Sequence, residues 1–287
     1  MEIIKNEPLK NHTSFKIGGP AEEFCAVRCE EDIIELLEYT RKEGIPCTVM
    51  GNGSNLLVSD KGVKGLVIKI AKCFDKVEVC GEKIMAQSGI LLSKLSNIAA
   101  DNGLSGMEEV SGIPGTLGGA IYMNAGAYGG EMKNFVERVT YLSGGEIKTA
   151  EKDELDFSYR HSRFSGTDDI VLSAELSLKK ADISEIRAKM EDFKERRCSK
   201  QPLSMPSAGS TFKRPEGYFA GKLIEDAGLK GFAIGGAQVS EKHSGFVVNT
   251  GNATAQDVLD LIHHIQNTVY DKFGVKLETE VKMIGEF

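Results

Sequence analysis

The chain has 287 residues, 41% hydrophobic and 27% charged, with a net charge of −7. Its length predicts two units each able to bury a core, and its composition excludes a disordered chain. The acidic balance without a basic stripe argues against a nucleic-acid partner, and the absence of a signal-like start or a run of eighteen apolar residues leaves no membrane partner expected and a cytoplasmic location.

Taken in chain order, "EEDIIELLEYTRKEG" places Ile33, Ile34, Leu36 and Leu37 at helical spacing and stops at Gly44. The apolar runs "IPCTVM", "LLVSD" and "GLVIKI" read as strands, the first two joined through "GNGSN". Residues 91–102 form a second helix with Leu92, Leu95, Ile98 and Ala99 on one face. The next stretch, "SGIPGTLGGAIYMNAGAYGGE", is too rich in glycine for a continuous helix or strand and too apolar for a floppy linker, so an ordered loop system is expected.

Alternating strands then run to about residue 180, followed by a charged helix over 182–197 with Ile183, Ile186, Met190 and Phe193 expected inward. The boundary between the two units is set there. Beyond it come a helix in "FAGKLIEDAG", strands in "FAIGGAQV" and "GFVVN", and a long helix from Thr254 with Val258, Leu261, Ile262, Ile265 and Val269 inward. His263 and His264 flank that face and read as surface histidines. Residues 275–283 alternate apolar and charged, which predicts a strand with one core face.

The six cysteines form no C-x-x-C pair and read as reduced, mostly buried thiols, and no metal site is expected. Neither G-x-G-x-x-G nor G-x-x-x-x-G-K-[ST] occurs, so Rossmann and P-loop readings drop away. In "GNGSN", Gly51 and Gly53 allow the backbone N–H groups to turn inward as an anion-binding nest, with Asn52, Ser54 and Asn55 adding side-chain donors. The same pentapeptide also suits an ordinary turn. A second glycine-rich loop in the same part of the chain tips the reading toward an extended cofactor carrying a pyrophosphate.

"NHTSFKIGGPAEEF", "GNGSNLLVSDKGVKGLVI", "SGIPGTLGGAIYMNAGAYGGE", "YRHSRF", "SAGSTFKRP" and "LETEVKMIGEF" follow one another in an order that resembles the UDP-N-acetylenolpyruvoylglucosamine reductase (MurB) family, from residue 11 to residue 286. The resemblance implies an α+β chain: an FAD-binding domain of the vanillyl-alcohol-oxidase (PCMH) type over residues 1–181, divisible into 1–72 and 73–181, and a smaller α+β domain over 182–287 that binds the UDP-sugar, its last strand returning to the active site. It implies non-covalent FAD, NADPH as reductant, and reduction of UDP-N-acetylglucosamine enolpyruvate to UDP-N-acetylmuramate. Around the cofactor it places the Gly51–Asn55 loop together with Gly115, Thr116, Gly119, Asn124, Gly126 and Ala127.

By the same resemblance Ser210 is the proton donor, Arg160 steadies the enolate-like intermediate and Glu280 is the catalytic carboxylate. Alternation puts Glu278 and Glu280 on one face, so spacing alone does not choose between them. The substrate is expected to meet Tyr128, Lys213, Arg214, Tyr218 and Lys222; many members carry Asn where Arg214 stands. The interval from Arg160 to Ser210 has no room for the lid that one branch of the family inserts there, which implies the lidless branch (type II). A flavin oxidase of the same FAD fold and a non-catalytic UDP-sugar-binding module are the alternatives.

Overall fold

The computed structural model describes residues 2–287. It divides into two compact units, each assembled from separate stretches of sequence. The first holds the start of the chain with Cys25–Asn52 and Val67–Arg197; the second holds Ile4–Phe24, Gly53–Leu66 and Cys198–Phe287. The sequence boundary expected at residue 181 is a single cut, whereas these units interleave, and the division falls inside "GNGSN", between Asn52 and Gly53.

In the first unit a five-stranded antiparallel sheet carries the core, in the order Glu146–Glu151, Val136–Ser143, Ile170–Ser177, Lys83–Gln87, Val77–Cys80. Its apolar positions, among them Ile84, Val136, Val139, Ala174 and Leu176, pack with Leu92, Leu95 and Ala99 of the helix Leu92–Asp101. Burying a side chain of this size stabilises by roughly 1.5–3 kcal/mol. The helix Glu30–Glu43 opens on three acidic residues, closes on Arg41 and Lys42, and ends at Gly44 with φ +66°, which returns its N–H to the Thr40 carbonyl. Charge and cap both favour that polarity.

The glycine-rich stretch, expected to be loop throughout, contains regular structure. Leu117–Tyr122 form a short helix, and Gly126–Ala127 pair with Gly130–Glu131 in a hairpin. Tyr128 and Gly129, at the tip of that hairpin, both have positive φ (54° and 94°), the signature of the turn whose twist matches antiparallel strands. The charged helix spans Ile183–Lys200 but buries only Ile186, and Ile183 is exposed, so the expected four-residue inward stripe is not formed.

The second unit is built around the helix Ala255–Phe273. Val258, Leu261, Ile262, Ile265 and Val269 are all buried there, as the spacing predicts. Thr254 and Asp257 cap it reciprocally, and Asp60 accepts hydrogen bonds from the N–H groups of Ala255 and Gln256. His264 is not idle at the surface: its ring stacks on Phe232 at 4.4 Å. A three-stranded sheet, Ala233–Ile234, Ala237–Val239 and Val247–Asn249, packs on this helix together with the helix Ala220–Asp226. The last strand is shorter than expected. Only Lys282–Ile284 pair, parallel to Leu56–Val58, while residues 275–281 are extended with a single antiparallel pair between Phe212 and Thr279.

Of the cysteines only Cys25 is buried, and four are exposed, which corrects the expectation of mostly buried thiols. Among the described residues no helix is long and apolar enough to cross a membrane, and no cluster of His, Cys, Asp or Glu side chains is placed to hold a metal ion.

Candidate active site

In the first unit, Gly51 lies so close to Thr116 that a Cβ there would fall on the Thr116 hydroxyl. Asn52 donates through Nδ2 to the Pro114 carbonyl at 2.7 Å, which ties the Gly51–Asn52 end of "GNGSN" to the glycine-rich segment. Thr116 is buried and sits at the N-terminus of Leu117–Tyr122 without using its hydroxyl as a cap. Beside it Gly118 leaves no room for a Cβ, which would come within 2.8 Å of the Ser88 side chain, and the buried Ser88 hydroxyl has no hydrogen-bond partner among the described residues. Gly115 and Gly119 flank Thr116 in the same segment, Gly115 accepting from the Leu92 N–H.

Asn124 is fully buried with φ +43°. Its amide donates to Glu131 and to the Ser158 carbonyl, both at 2.9 Å, and accepts from the Lys133 N–H at 3.0 Å. The side chain therefore serves the loop itself. Ser158 and His161 exchange backbone hydrogen bonds around a turn whose third residue, Arg160, has φ +55°. A non-glycine residue held in this region costs energy that the surroundings must supply, and such positions collect at functional sites. The half-buried Arg160 donates through Nη2 toward the Gly126 carbonyl (3.4 Å) and lies over the Tyr159 ring. Ala127 follows Gly126 in the hairpin. Tyr128 at the tip is exposed and stacks on Phe193 at 4.9 Å.

In the second unit, Gly209 with φ +78° turns the chain into Ser210. Ser210 is half-buried, and no described residue holds its hydroxyl. Its neighbour Thr211 is buried with every polar group engaged: the N–H donates to the Gly245 carbonyl (2.9 Å), the hydroxyl accepts from Val247 (3.0 Å), and the carbonyl accepts from the Glu280 N–H (2.8 Å). The Glu280 carbonyl in turn accepts from Asn55 Nδ2 at 3.1 Å, and the Lys282 N–H donates to Asn55. Glu280 is thus fixed from both sides. The Asn55 side chain, expected as a donor to the cofactor, donates in this structure to the backbone at Glu280. Gly53 accepts from the Ser14 N–H, and Ser54 follows it.

The two glutamates that spacing could not separate stand apart. Glu278 is exposed and paired with Lys213 at 3.1 Å, whereas Glu280 is half-buried. Of the candidate substrate cations, Arg214 and Lys222 are exposed and Lys213 is half-buried. Lys222 pairs with Asp226 at 2.6 Å, and that hydrogen bond raises its pKa; Arg214 lies 4.0 Å from the Phe219 ring centroid and donates to the Tyr218 carbonyl. Tyr218 is itself exposed.

Residues 201–284 match the model of the UDP-N-acetylenolpyruvoylglucosamine reductase C-terminal domain, and residues 21–150 that of an FAD binding domain. The UDP-N-acetylenolpyruvoylglucosamine reductase of Caldanaerobacter subterraneus subsp. tengcongensis is 55% identical over 286 residues, covering 99% of this chain and 94% of the relative. That of Clostridioides difficile is 51% identical over 286 residues, with the same coverage of 99% and 94%. The chain belongs to the UDP-N-acetylenolpyruvoylglucosamine reductase family. The crystal structure of the Thermus caldophilus reductase superimposes with a TM-score of 0.86 at 38% identity, covering 99% of this chain and 98% of that one.

Membership of the UDP-N-acetylenolpyruvoylglucosamine reductase family makes this chain an enzyme, an oxidoreductase with an FAD-binding domain in an α+β fold. The residues present fit the flavin nucleotide. A Thr116 hydroxyl not used as a cap and a buried Ser88 hydroxyl without a hydrogen-bond partner among the described residues stand here, each held in place by a glycine packed directly against it, Gly51 on Thr116 and Gly118 on Ser88. Sequence reasoning passed over Ser88, Thr211 and Glu131. Thr211 had one visible signal, its place beside Ser210; Ser88 and Glu131 had none, because their partners lie far away or on the other side of a turn.

Proposed function

We propose that this chain catalyses the NADPH-dependent reduction of UDP-N-acetylglucosamine enolpyruvate to UDP-N-acetylmuramate in the cytoplasm, with residues 1–181 serving FAD and residues 182–287 the UDP-sugar. When bound, FAD would supply the two-electron hydride chemistry that links NADPH to the enolpyruvyl group. The glycines of residues 51–53 and 115–119, with Thr116 and Ser88, are assigned to hold it. The observation that carries the reading is the setting of Ser210: a hydroxyl that no described residue holds, beside Thr211, whose carbonyl accepts from the Glu280 N–H.

Hydride addition at the terminal carbon leaves a carbon–carbon double bond's electron pair on the α-carbon, delocalised into the carboxylate. Ser210 donates its hydroxyl proton to that carbon, which closes the reduction. This role explains why no histidine activates the serine: it acts as an acid, and placement is what it needs. Arg160, always charged and held by backbone on one side and aromatic ring on the other, balances the developing carboxylate charge. Glu280 is assigned as the acid–base carboxylate of the site and Glu278 is not. Tyr128, Lys213, Arg214, Tyr218 and Lys222 are assigned to the UDP-sugar. Exposed ion pairs such as Lys222–Asp226 are worth little and exchange readily for a diphosphate. We also place the chain in the branch without the lid, because only the strands Ile170–Ser177 and Lys179–Lys180 and the helix Ile183–Lys200 lie between Arg160 and Ser210.

The test is an anaerobic visible spectrum. Bleaching of bound flavin by NADPH and its recovery on adding UDP-N-acetylglucosamine enolpyruvate are expected. Recovery only with oxygen would favour a flavin oxidase, and a protein that FAD does not reconstitute would leave a UDP-sugar-binding module.

A further inference from the structure

The hairpin Gly126–Glu131 carries a carboxylate with no part in the chemistry above. Glu131 stands opposite Gly126 in the hairpin register, and the Gly126 carbonyl is the one that Arg160 addresses. The fit is close: a Cβ on Gly126 would lie 2.7 Å from Glu131 Cγ and 2.5 Å from the Gly130 carbonyl oxygen. The Glu131 carboxylate accepts from Asn124 Nδ2 at 2.9 Å and pairs with Lys133 at 2.9 Å. Asn124 also donates to Ser158, in the turn that forces Arg160 to its positive φ. One buried amide therefore joins the carboxylate to the backbone that aims the guanidinium.

Partial burial alone would raise the Glu131 pKa, but the hydrogen bonds from Lys133 and Asn124 and the charges of Lys133 and Arg160 outweigh it, so the carboxyl is held below the usual range and is ionised at neutral pH. Glu131 also caps the turn Met132–Asn134, a structural duty.

We propose that Glu131 is a positioning residue for Arg160: through Asn124 it fixes the 158–161 turn, and its negative charge holds the guanidinium in place for the substrate carboxylate. The proposal rests on the assignment of Arg160 above. It distinguishes charge from shape, because Glu131→Gln keeps the side chain's size and one acceptor oxygen for Asn124 while removing the charge.

The experiment is a stopped-flow double-mutant cycle on the FAD-loaded protein with Glu131→Gln, Arg160→Ala and the double variant, with melting temperatures measured alongside. Glu131→Gln is expected to slow reoxidation by saturating UDP-N-acetylglucosamine enolpyruvate by about 10- to 100-fold, the scale of a misplaced catalytic group. Reduction by NADPH is expected to stay within about 2-fold of wild type. In the Arg160→Ala background the same change is expected to cost less than about 2-fold, since a residue that acts through Arg160 has nothing left to position. Equal slowing in both backgrounds, equal slowing of both half-reactions together with a fallen melting temperature, or wild-type reoxidation by Glu131→Gln would each overturn the proposal. A wild-type protein that this substrate does not reoxidise would overturn the functional reading and the proposal with it, so the two failures are told apart by the wild type alone.

Discussion

Arg160 and Lys222 carry the same charge in opposite settings. Arg160 sits half-buried on a left-handed turn, aimed at a backbone carbonyl and backed by a fully buried asparagine. Lys222 stands on the exposed face of a helix, tied to Asp226 one turn away. The first arrangement spends backbone strain to fix a direction; the second leaves a long side chain free to trade one anion for another. Preorganised charge acts on a transition state, whereas an adaptable surface charge acts on binding. Ser210 and Glu280 side with Arg160, since Thr211 and Asn55 pin their backbones.

The comparison predicts which variants lose turnover and which lose only affinity. The largest effect is expected for Ser210→Ala: flavin reduction by NADPH unchanged and reoxidation by substrate slowed about 10²- to 10⁴-fold. Equal slowing of both halves would remove the acid role. Glu280→Gln and Arg160→Ala are expected to impair the same half-reaction by about 10²- to 10³-fold, while Glu278→Gln, which loses only an exposed pair with Lys213, is expected to turn over like wild type. A severe defect at Glu278 would reverse the choice between the two carboxylates.

That choice shows what the sequence held and what it did not. The long helix was legible because its period of 3.6 put Val258, Leu261, Ile262, Ile265 and Val269 on one face, and nothing overrode it. Alternation over residues 275–283 misled, because an extended chain can be held one residue at a time by distant partners: Thr211 and Asn55 hold Glu280, and only Lys282–Ile284 ladder. Glycine content hid the helix Leu117–Tyr122 and the hairpin after it, since a glycine can mark a turn, a close approach or neither. The roles proposed for Ser210, Arg160 and Glu280 came from the family resemblance alone. No local pattern foretold that Arg160 adopts φ +55° or that Asn124 supports its turn, for both depend on contacts more than thirty residues away in sequence.

A smaller effect tests the rigid side of the comparison without touching a reacting group. Gly126→Ala places a methyl 2.5 Å from the Gly130 carbonyl oxygen and 2.7 Å from Glu131 Cγ, so the hairpin must spread. A loss of about 1–3 kcal/mol in unfolding free energy is expected, read from denaturant melts, and an unchanged midpoint would mean that the hairpin yields freely. On the adaptable side, Lys222→Met is expected to raise KM for the UDP-sugar a few-fold with kcat unchanged, the mark of binding that is uniform between ground and transition states. The increase should shrink as salt rises, because screening already weakens the wild-type contact.

The smallest effect concerns His243, which ties the Ser210 segment to its support. Its Nδ1 accepts from the Gly245 N–H at 3.1 Å, and the Gly245 carbonyl takes the Thr211 N–H. Burial lowers the His243 pKa below its ordinary value, with Lys200 adding to the decrease and Glu225 opposing it. The unfolded chain therefore binds a proton at His243, near pH ~6.5, before the folded one does. The stability from the neutral ring is complete above that pH and is lost as pH falls through the window between the two pKa values, because the unfolded chain takes up the proton that the buried ring resists. Melting temperatures at pH 8 and pH 5.5 should accordingly differ more for wild type than for His243→Gln. Identical pH slopes would show that the ring is already wet, and that Thr211 is held without it.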